Sequence, residues 1–320
     1  MAQHFLLSAS ARTLSLKAIY AAGEDKAYDT FRKLRWPSTD GEPVCPQCGS
    51  VDAYALKGRR QFTCSDCRHR FSVTSGTILA SRKLKFTDLL AAICIIVNAA
   101  KGVSALQLAR DLDCQHKTAF VLAHKLREAL ATETKDAKLF DVVEIDGMHT
   151  GGAIRPANRK EDRVDRRLAQ HQTGTRRVVV ALRQRKGRTL TFVTRNEGDG
   201  VAIAKRVVDR LAIMHADEAS HWDALHAGWK TLRINHSEAY SDEGCTNQAE
   251  SFFSRLRKMI DGQHHHVSAR HLHAYAAHAA WIEDHRRLAN GALAFRALGL
   301  ALNNSKSAQW AGYWQRGKAA

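Results

Sequence analysis

Three carboxylates far apart in the chain, Asp146, Asp217 and Glu250, each stand where a periodic segment begins or ends. Asp146 closes the apolar run LFDVVEIDGM at Gly147. Asp217 closes IMHAD, and Glu250 lies in the opening turn of NQAESFFSRLRKMI. Acidic groups carried to one point by separate elements are what two-ion phosphoryl transfer requires. Hard cations such as Mg²⁺ or Mn²⁺ take oxygen ligands, and two of them about 3.5–4 Å apart clamp the attacking and leaving oxygens of an in-line displacement. The carboxylates are 71 and 33 residues apart, so no local turn unites them. Asn247 shares the Glu250 side of its helix, and its amide oxygen is an alternative third ligand. Glu144 falls on the same strand face as Asp146 and is a candidate outer ligand. Arg257 and Lys258, two turns below Glu250, suit contacts to a phosphate backbone.

A second set of ligand-type residues lies near the N-terminus. Four of the seven cysteines form one pattern, Cys45-Pro-Gln-Cys48 and Cys64-Ser-Asp-Cys67. Two such knuckles close a tetrahedral four-thiolate cage around one Zn²⁺, with no coordination position left open, so this metal is structural. GRRQFTC leads into the second knuckle as a strand and RHRFSV leaves it as another, the plan of a zinc ribbon. Cys94, Cys114 and Cys245 are isolated and read as packing residues.

The elements that position these groups follow from periodicity. A helix over 27–37 stops at Trp36-Pro37, and LKFTDLLAAICIIVNAA is a buried helix ended by Gly102. SALQLARDLDCQHKTAFVLAHKLREAL splits into two helices around Asp113-Cys114. Gln115, His116, Lys117 and Thr118 open the second, whose inner face is Ala119, Leu122, Leu126 and Leu130. That is a helix-turn-helix, with the opening residues aimed at a major groove. From residue 139 the spacing changes to strands: LFDVVEIDGM, RRVVVALRQR and TLTFVTRN in meander. A helix opened by Gly198-Asp199-Gly200 follows, with Val201, Ala204, Val208 and Leu211 inward. Strand IMHADEA, helix SHWDALHAGW, strand TLRINHS and the Glu250 helix complete the series. The order predicts an α/β fold with a mixed five-stranded sheet, that of ribonuclease H. Its first and fourth strands are neighbours, which brings Asp146 and Asp217 together. The stripe Phe252, Phe253, Leu256, Met259 and Ile260 seats the last helix so that Glu250 faces the metals.

Composition agrees with a nucleic-acid partner. The 320 residues are 44% hydrophobic and carry a formal charge of +17, which attracts a polyanion through counterion release. The stretch 155–188 alone has a net charge of +9 and suits a DNA-tracking surface. The longest apolar run, Leu89 to Val97, is too short to span a membrane, and no cleavable signal is evident, so a cytoplasmic protein is expected.

Taken together, these residues resemble the DDE insertion-sequence transposases, in the bacterial branch with an N-terminal zinc ribbon. The likeness runs from about Ala27 to the C-terminus. It rests on LRWP before CPQC, FSVTSGTILASRKLKF after the ribbon, VEIDGMHTGG, HADEA and NQAESFFSRLRKMIDGQHHHVSARHLHAY. The resemblance implies a helical segment at 1–40, a zinc ribbon at 41–75, and a helix-turn-helix at 83–135. A ribonuclease H-like catalytic domain at 138–290 and a helical tail at 291–320 would follow. It further implies divalent-metal cleavage at terminal inverted repeats and joining of the freed 3′-hydroxyl to target DNA by a homo-oligomer in a nucleoid-associated synaptic complex. Asp146, Asp217 and Glu250 match the acidic triad, with Asn247 as the variant third position. His264, His265, His266, His271 and His273 are then expected in DNA contact or packing rather than at a second metal. Trp310, Tyr313 and Trp314 form an apolar patch for docking on the catalytic domain or for a subunit contact. Two departures stand out. Gly147, Met148 and His149 follow the first Asp where relatives often carry an acid and an aromatic, and Glu283-Asp284-His285-Arg286-Arg287 replaces an Arg/Asn-rich pattern. A catalytically silent DNA-binding regulator and a structure-specific nuclease of the same fold are the competing readings.

Overall fold

The computed structural model describes residues 5–151, 159–164, 174–234 and 245–316. Part of the basic stretch 155–188 therefore lies outside the described residues. The chain divides into two compact units, one of residues 1–133 with 285–320 and one of residues 134–284.

In the first unit, α1 (Leu16–Arg35) starts where the Ser15 hydroxyl accepts the Ala18 N–H at 3.1 Å. It begins well before the expected residue 27 because Ile19 is buried along with Ala27 and Phe31. Gly23, at φ 80°, breaks it into two runs, a conformation that glycine adopts without Cβ strain. The ribbon is an antiparallel sheet of β1 (Ala53–Ala55), β2 (Phe62–Cys64) and β3 (Arg70–Phe71). Trp36 packs edge-on against Phe62 and Phe71, which form its small core. α2 (Phe86–Asn98) is buried nearly throughout. Its own N-terminal residue supplies no cap. The Glu24 carboxylate instead accepts the Phe86 and Thr87 N–H groups at 3.0 and 2.9 Å. α3 (Ala105–Asp111) and α4 (His116–Ala131) are joined through Asp113 in the left-handed region. Ala119, Leu122, Leu126 and Leu130 are all buried, as their spacing requires.

The second unit is a five-stranded sheet. β4 (Val142–Thr150), β5 (Arg177–Gln184) and β6 (Thr189–Thr194) run antiparallel, while β7 (Ile213–Asp217) and β8 (Lys230–Ile234) add in parallel, in the order β6-β5-β4-β7-β8. Alternation along β4 and β5 divides their side chains between two cores. Val143, Ile145, Val178 and Val180 meet Val201 and Ala204 of α5 (Asp199–Val207) together with Trp222. Met148, Val179 and Ala181 meet Phe252, Phe253 and Leu256 of α6 (Asn247–Arg257), with Leu272 and Ala276 of α7 (Leu272–His285) behind them. This is the ribonuclease H-like architecture, following a zinc ribbon. Two expectations are corrected. α5 stops at Val207, so Leu211 is 94% exposed in the turn before β7 rather than inward. Ser220–Ala227 winds as a 3₁₀ helix instead of an α-helix. The acids of the Glu283-Asp284 pattern are structural. Arg183 pairs with Glu283 at 3.3 Å and Asp284 at 3.1 Å, and Arg255 reaches Glu283 at 2.8 Å.

The chain then returns to the first unit, where α8 (Asn290–Asn303) packs on α1, α2 and α4. The patch of Trp310, Tyr313 and Trp314, the last two opening the short α9 (Tyr313–Arg316), gathers around Phe120 of α4, with centroids 5.8, 6.2 and 6.1 Å away. Among the described residues, no helix is long and apolar enough to cross a membrane.

Candidate active site

The parallel pairing of β4 and β7 sets Val142 beside Ile213, Val143 beside Met214 and Glu144 beside His215. The pairing ends there, with Asp146 two residues further along β4 and Asp217 two further along β7, near enough for the Asp217 charge to act on Asp146. Asp217 is half-buried at its strand end, where its Oδ1 accepts the Ala219 N–H at 3.2 Å, while Glu218 is exposed. Arg233 of β8 ties down the backbone there by donating to the carbonyls of Asp217 and Ala219 at 2.6 and 2.7 Å.

Asp146 is the electrostatic centre of the arrangement. Burial, reinforced by the charges of Asp217, Glu197 and Glu250, pushes its pKa up to about 7, although the Gly147 N–H donates to its Oδ1 at 2.7 Å. A buried carboxyl facing three others is a group short of positive charge. The donors here are all carboxylate oxygens, the type that hard divalent cations take, but among the described residues only the four ribbon cysteines are drawn close enough together to hold one ion.

The stripe Phe252, Phe253, Leu256, Met259 and Ile260 is buried, and Asn247, Glu250, Ser254 and Arg257 are exposed on the opposite side. Glu250 accepts the Thr246 hydroxyl at 3.4 Å. Asn247, the first residue of α6, is exposed one turn before Glu250. Glu144 is not the outer ligand expected. Fully buried, it accepts the Gln248 and Ala249 N–H groups at 2.8 and 3.0 Å and the Arg185 Nε at 3.1 Å. Its carboxylate therefore caps α6, whose preceding Thr246 makes no side-chain cap. A negative charge there also meets the positive end of the helix. His215 completes the support. The Cys245 N–H donates to its Nδ1 at 3.1 Å, and burial together with the Arg185 charge lowers its pKa.

Glu197, between β6 and α5, is the group that sequence reasoning missed. Its Oε1 lies 3.1 Å from His149 Nε2 and its Oε2 3.0 Å from His221 Nε2. It occupies the space left open at Gly147, where a Cβ would come within 2.6 Å of its Cγ. The available signal was the missing acid at position 147. Burial lowers the His149 pKa against the pull of Glu197, with Arg176 and His221 adding to the drop.

The expected DNA contacts fall at two places. In the first unit, Gln115, His116 and Lys117 are exposed and Thr118 is half-buried at the start of α4. In the second, Arg257 and Lys258 are exposed at the end of α6. Of the histidine group, His264 packs against Tyr275 at 4.7 Å, while His265, His266 and His273 are exposed.

In the ribbon, Cys45 and Cys67 sulfurs are 3.6 Å apart, as are those of Cys48 and Cys64, and all four lie within 4.8 Å of one another. Tetrahedral zinc with Zn–S bonds of about 2.3 Å places its sulfurs about 3.7–3.8 Å apart. The cage fits Zn²⁺.

Residues 138–284 match the family model of the ISXO2-like transposase domain, and residues 22–70 match that of the transposase zinc-ribbon domain. Together the matches span more than half of the chain. Neither a curated protein nor a solved structure matches it.

Proposed function

For a chain that belongs to the DDE transposases with an N-terminal zinc ribbon, we propose that it cuts DNA at the terminal inverted repeats of an insertion sequence and joins the freed 3′-hydroxyls to target DNA. What supports this reading is the buried Asp146 on the strand beside that of Asp217, its pKa raised to about 7 by burial and by the charges of Asp217, Glu197 and Glu250. Asp146, Asp217 and Glu250 would hold the divalent ions through their carboxylate oxygens. Asn247 lacks the charge to balance a dication, and we assign it no primary ligand role. When bound, such ions would supply charge neutralisation for phosphoryl transfer. The chain's own part is positioning. Glu144 holds the α6 N-terminus, Arg233 holds the end of β7, and the buried Phe252–Phe253 stripe fixes α6 on the sheet with Glu250 in its exposed first turn. Arg257 and Lys258 would then meet the backbone beside the cut, while the ribbon and the start of α4 read the end sequence. Pairing of two ends calls for a dimer or larger assembly.

The test is strand cleavage and strand transfer by the full chain on linear DNA bearing the element's own inverted repeats, with Mg²⁺. Asp146→Asn, Asp217→Asn and Glu250→Gln should each cut the rate by the order of 10²–10³, as for removal of a charge-stabilising group. Asn247→Ala should cost under about tenfold. Cleavage equal in wild type and Asp146→Asn would refute the assignment.

A further inference from the structure

A cavity of about 510 Å³ opens in the first unit beside the N-terminal turns of α4, a size typical of small-ligand sites, which run roughly 300–1,000 Å³. Its walls come from residues 77–84, the outward side of α4 and the tail at 306–315. The tail is firmly seated. Ser305 bridges to Thr77, the Ile78 N–H donates to the Asn304 carbonyl at 2.8 Å, and the Ser307 hydroxyl donates to Glu128 at 2.6 Å. Trp310 stacks on the His124 ring at 4.1 Å.

Two features of the lining point to one ligand chemistry. Arg82, Lys83, Lys117, Lys125 and Lys306 all face the cavity, and no Asp or Glu is among the residues that line it. The Lys125 ammonium is half-buried with three donors. It makes a long 3.4 Å hydrogen bond to the Ala80 carbonyl and feels the charge of Glu128, which is not among the lining residues, so donors remain for a further acceptor. Trp314, which also lines the cavity, is 42% exposed, with the Lys117 ammonium over its ring 5.4 Å from the centroid and Tyr313 edge-on at 5.2 Å, so a base would displace Lys117 toward its own phosphate. Cations that track phosphates next to an open aromatic face are the means by which proteins hold single-stranded nucleic acid. A base paired and stacked within a duplex cannot enter such a cavity; an unpaired one can.

We propose that this cavity takes one unpaired nucleotide of the bound DNA, its phosphate at Lys125 between Arg82 and Lys306, its base stacked on Trp314. The proposal rests on the reading of the chain as a DNA transposase and adds to it a site for strand ends or distorted termini.

The full, zinc-loaded chain is titrated by fluorescence anisotropy against three mixed-sequence probes. These are a blunt duplex, the same duplex ending in a short run of unpaired thymidines, and that tailed duplex with abasic sites replacing the thymidines. Wild type should bind the thymidine tail about tenfold more tightly than the blunt end, the order expected for one stacked base, with the abasic tail in between. Trp314→Ala should reduce the thymidine tail to the level of the abasic tail, and Trp314→Phe should restore much of the preference. Lys125→Met should remove the advantage that the abasic tail keeps. Equal wild-type affinity for tailed and blunt duplexes would overturn the proposal, as would a preference left intact in both Trp314→Ala and Lys125→Met. If no probe binds at all, the DNA-transposase reading itself falls and the cavity assignment with it; equal binding of all three removes only the cavity assignment.

Discussion

Asp146 holds its carboxyl where a negative charge is costly, and the cost has a definite pH dependence. Its folded pKa is about 7 against an ordinary value of 3.8. Below about pH 4 the group is protonated in both the folded and the unfolded chain and does not affect their balance. Between about pH 4 and 7 the unfolded chain releases the proton first, so stability falls as pH rises, and the full penalty is present above about pH 7. Three pKa units set its ceiling on the order of 4 kcal/mol. In magnesium-free buffer, Asp146→Asn should therefore melt close to wild type at pH 4 and several degrees higher at pH 8, by circular dichroism. Added Mg²⁺ should raise wild type and narrow the gap. Parity at pH 8 without Mg²⁺ would show that the carboxyl is not strained by its neighbours. Alternation and strand order made the adjacency of β4 and β7 legible, but not where Asp146 sits: the spacing suggested that it closes its strand, whereas β4 runs on to Thr150 and leaves Asp146 mid-strand, with only Asp217 at a strand end. Glu197 was not legible. Its approach depends on the empty space over Gly147, fifty residues away, and on two histidines, His149 and His221, contributed by different elements.

At the scale of elements, both helices that matter most begin without a local cap. Each borrows a carboxylate from elsewhere in the chain, Glu24 for α2 and Glu144 for α6. A sequence reading sees the buried stripe of α6 because it recurs every three or four residues. It cannot see that Glu144, a hundred residues earlier, ends the search of two orphan N–H groups. The same limit explains Gly23, where burial of Ile19 carries α1 past the point at which local propensity would stop. The Glu144 cap makes a separable prediction. Glu144→Ala leaves Arg185 without its buried partner and should destabilise the sheet domain by roughly 3–5 kcal/mol. Glu144→Gln retains an acceptor and should cost less. Amide exchange of residues 248 and 249 should accelerate more than that of the β4 core in Glu144→Ala, because the cap is lost where the ladder is not, and Glu144→Gln should restore much of their protection. Equal acceleration across β4 and α6 would mean that Glu144 acts as a general core residue and not as a cap.

For the whole molecule, the question is how much of the fold the zinc cage sustains. The ribbon's strands are three, three and two residues long, and its apolar core is little more than Trp36, Phe62, Phe71 and Val73. Burial on that scale does not offset the chain entropy of ordering some thirty residues, so metal binding must supply the difference. Structural zinc in small domains provides about 10–16 kcal/mol of apparent binding energy. The sheet domain has its own two cores on either side of β4 and β5 and owes nothing to that metal. A chelator selective for zinc over magnesium should thus release one Zn²⁺ per chain and shift Trp36 fluorescence to the red, while most of the far-ultraviolet dichroism persists. Cys64→Ser, which removes a fully buried ligand, should reproduce that state without chelator. DNA affinity should then drop, and its dependence on salt should flatten as the ribbon cations Lys57, Arg59, Arg68 and Arg70 lose their fixed positions; Arg60 is instead ion-paired with Glu24 and Asp25. A chelated chain that kept both its Trp36 emission and its salt dependence would show that the ribbon folds on its apolar contacts alone.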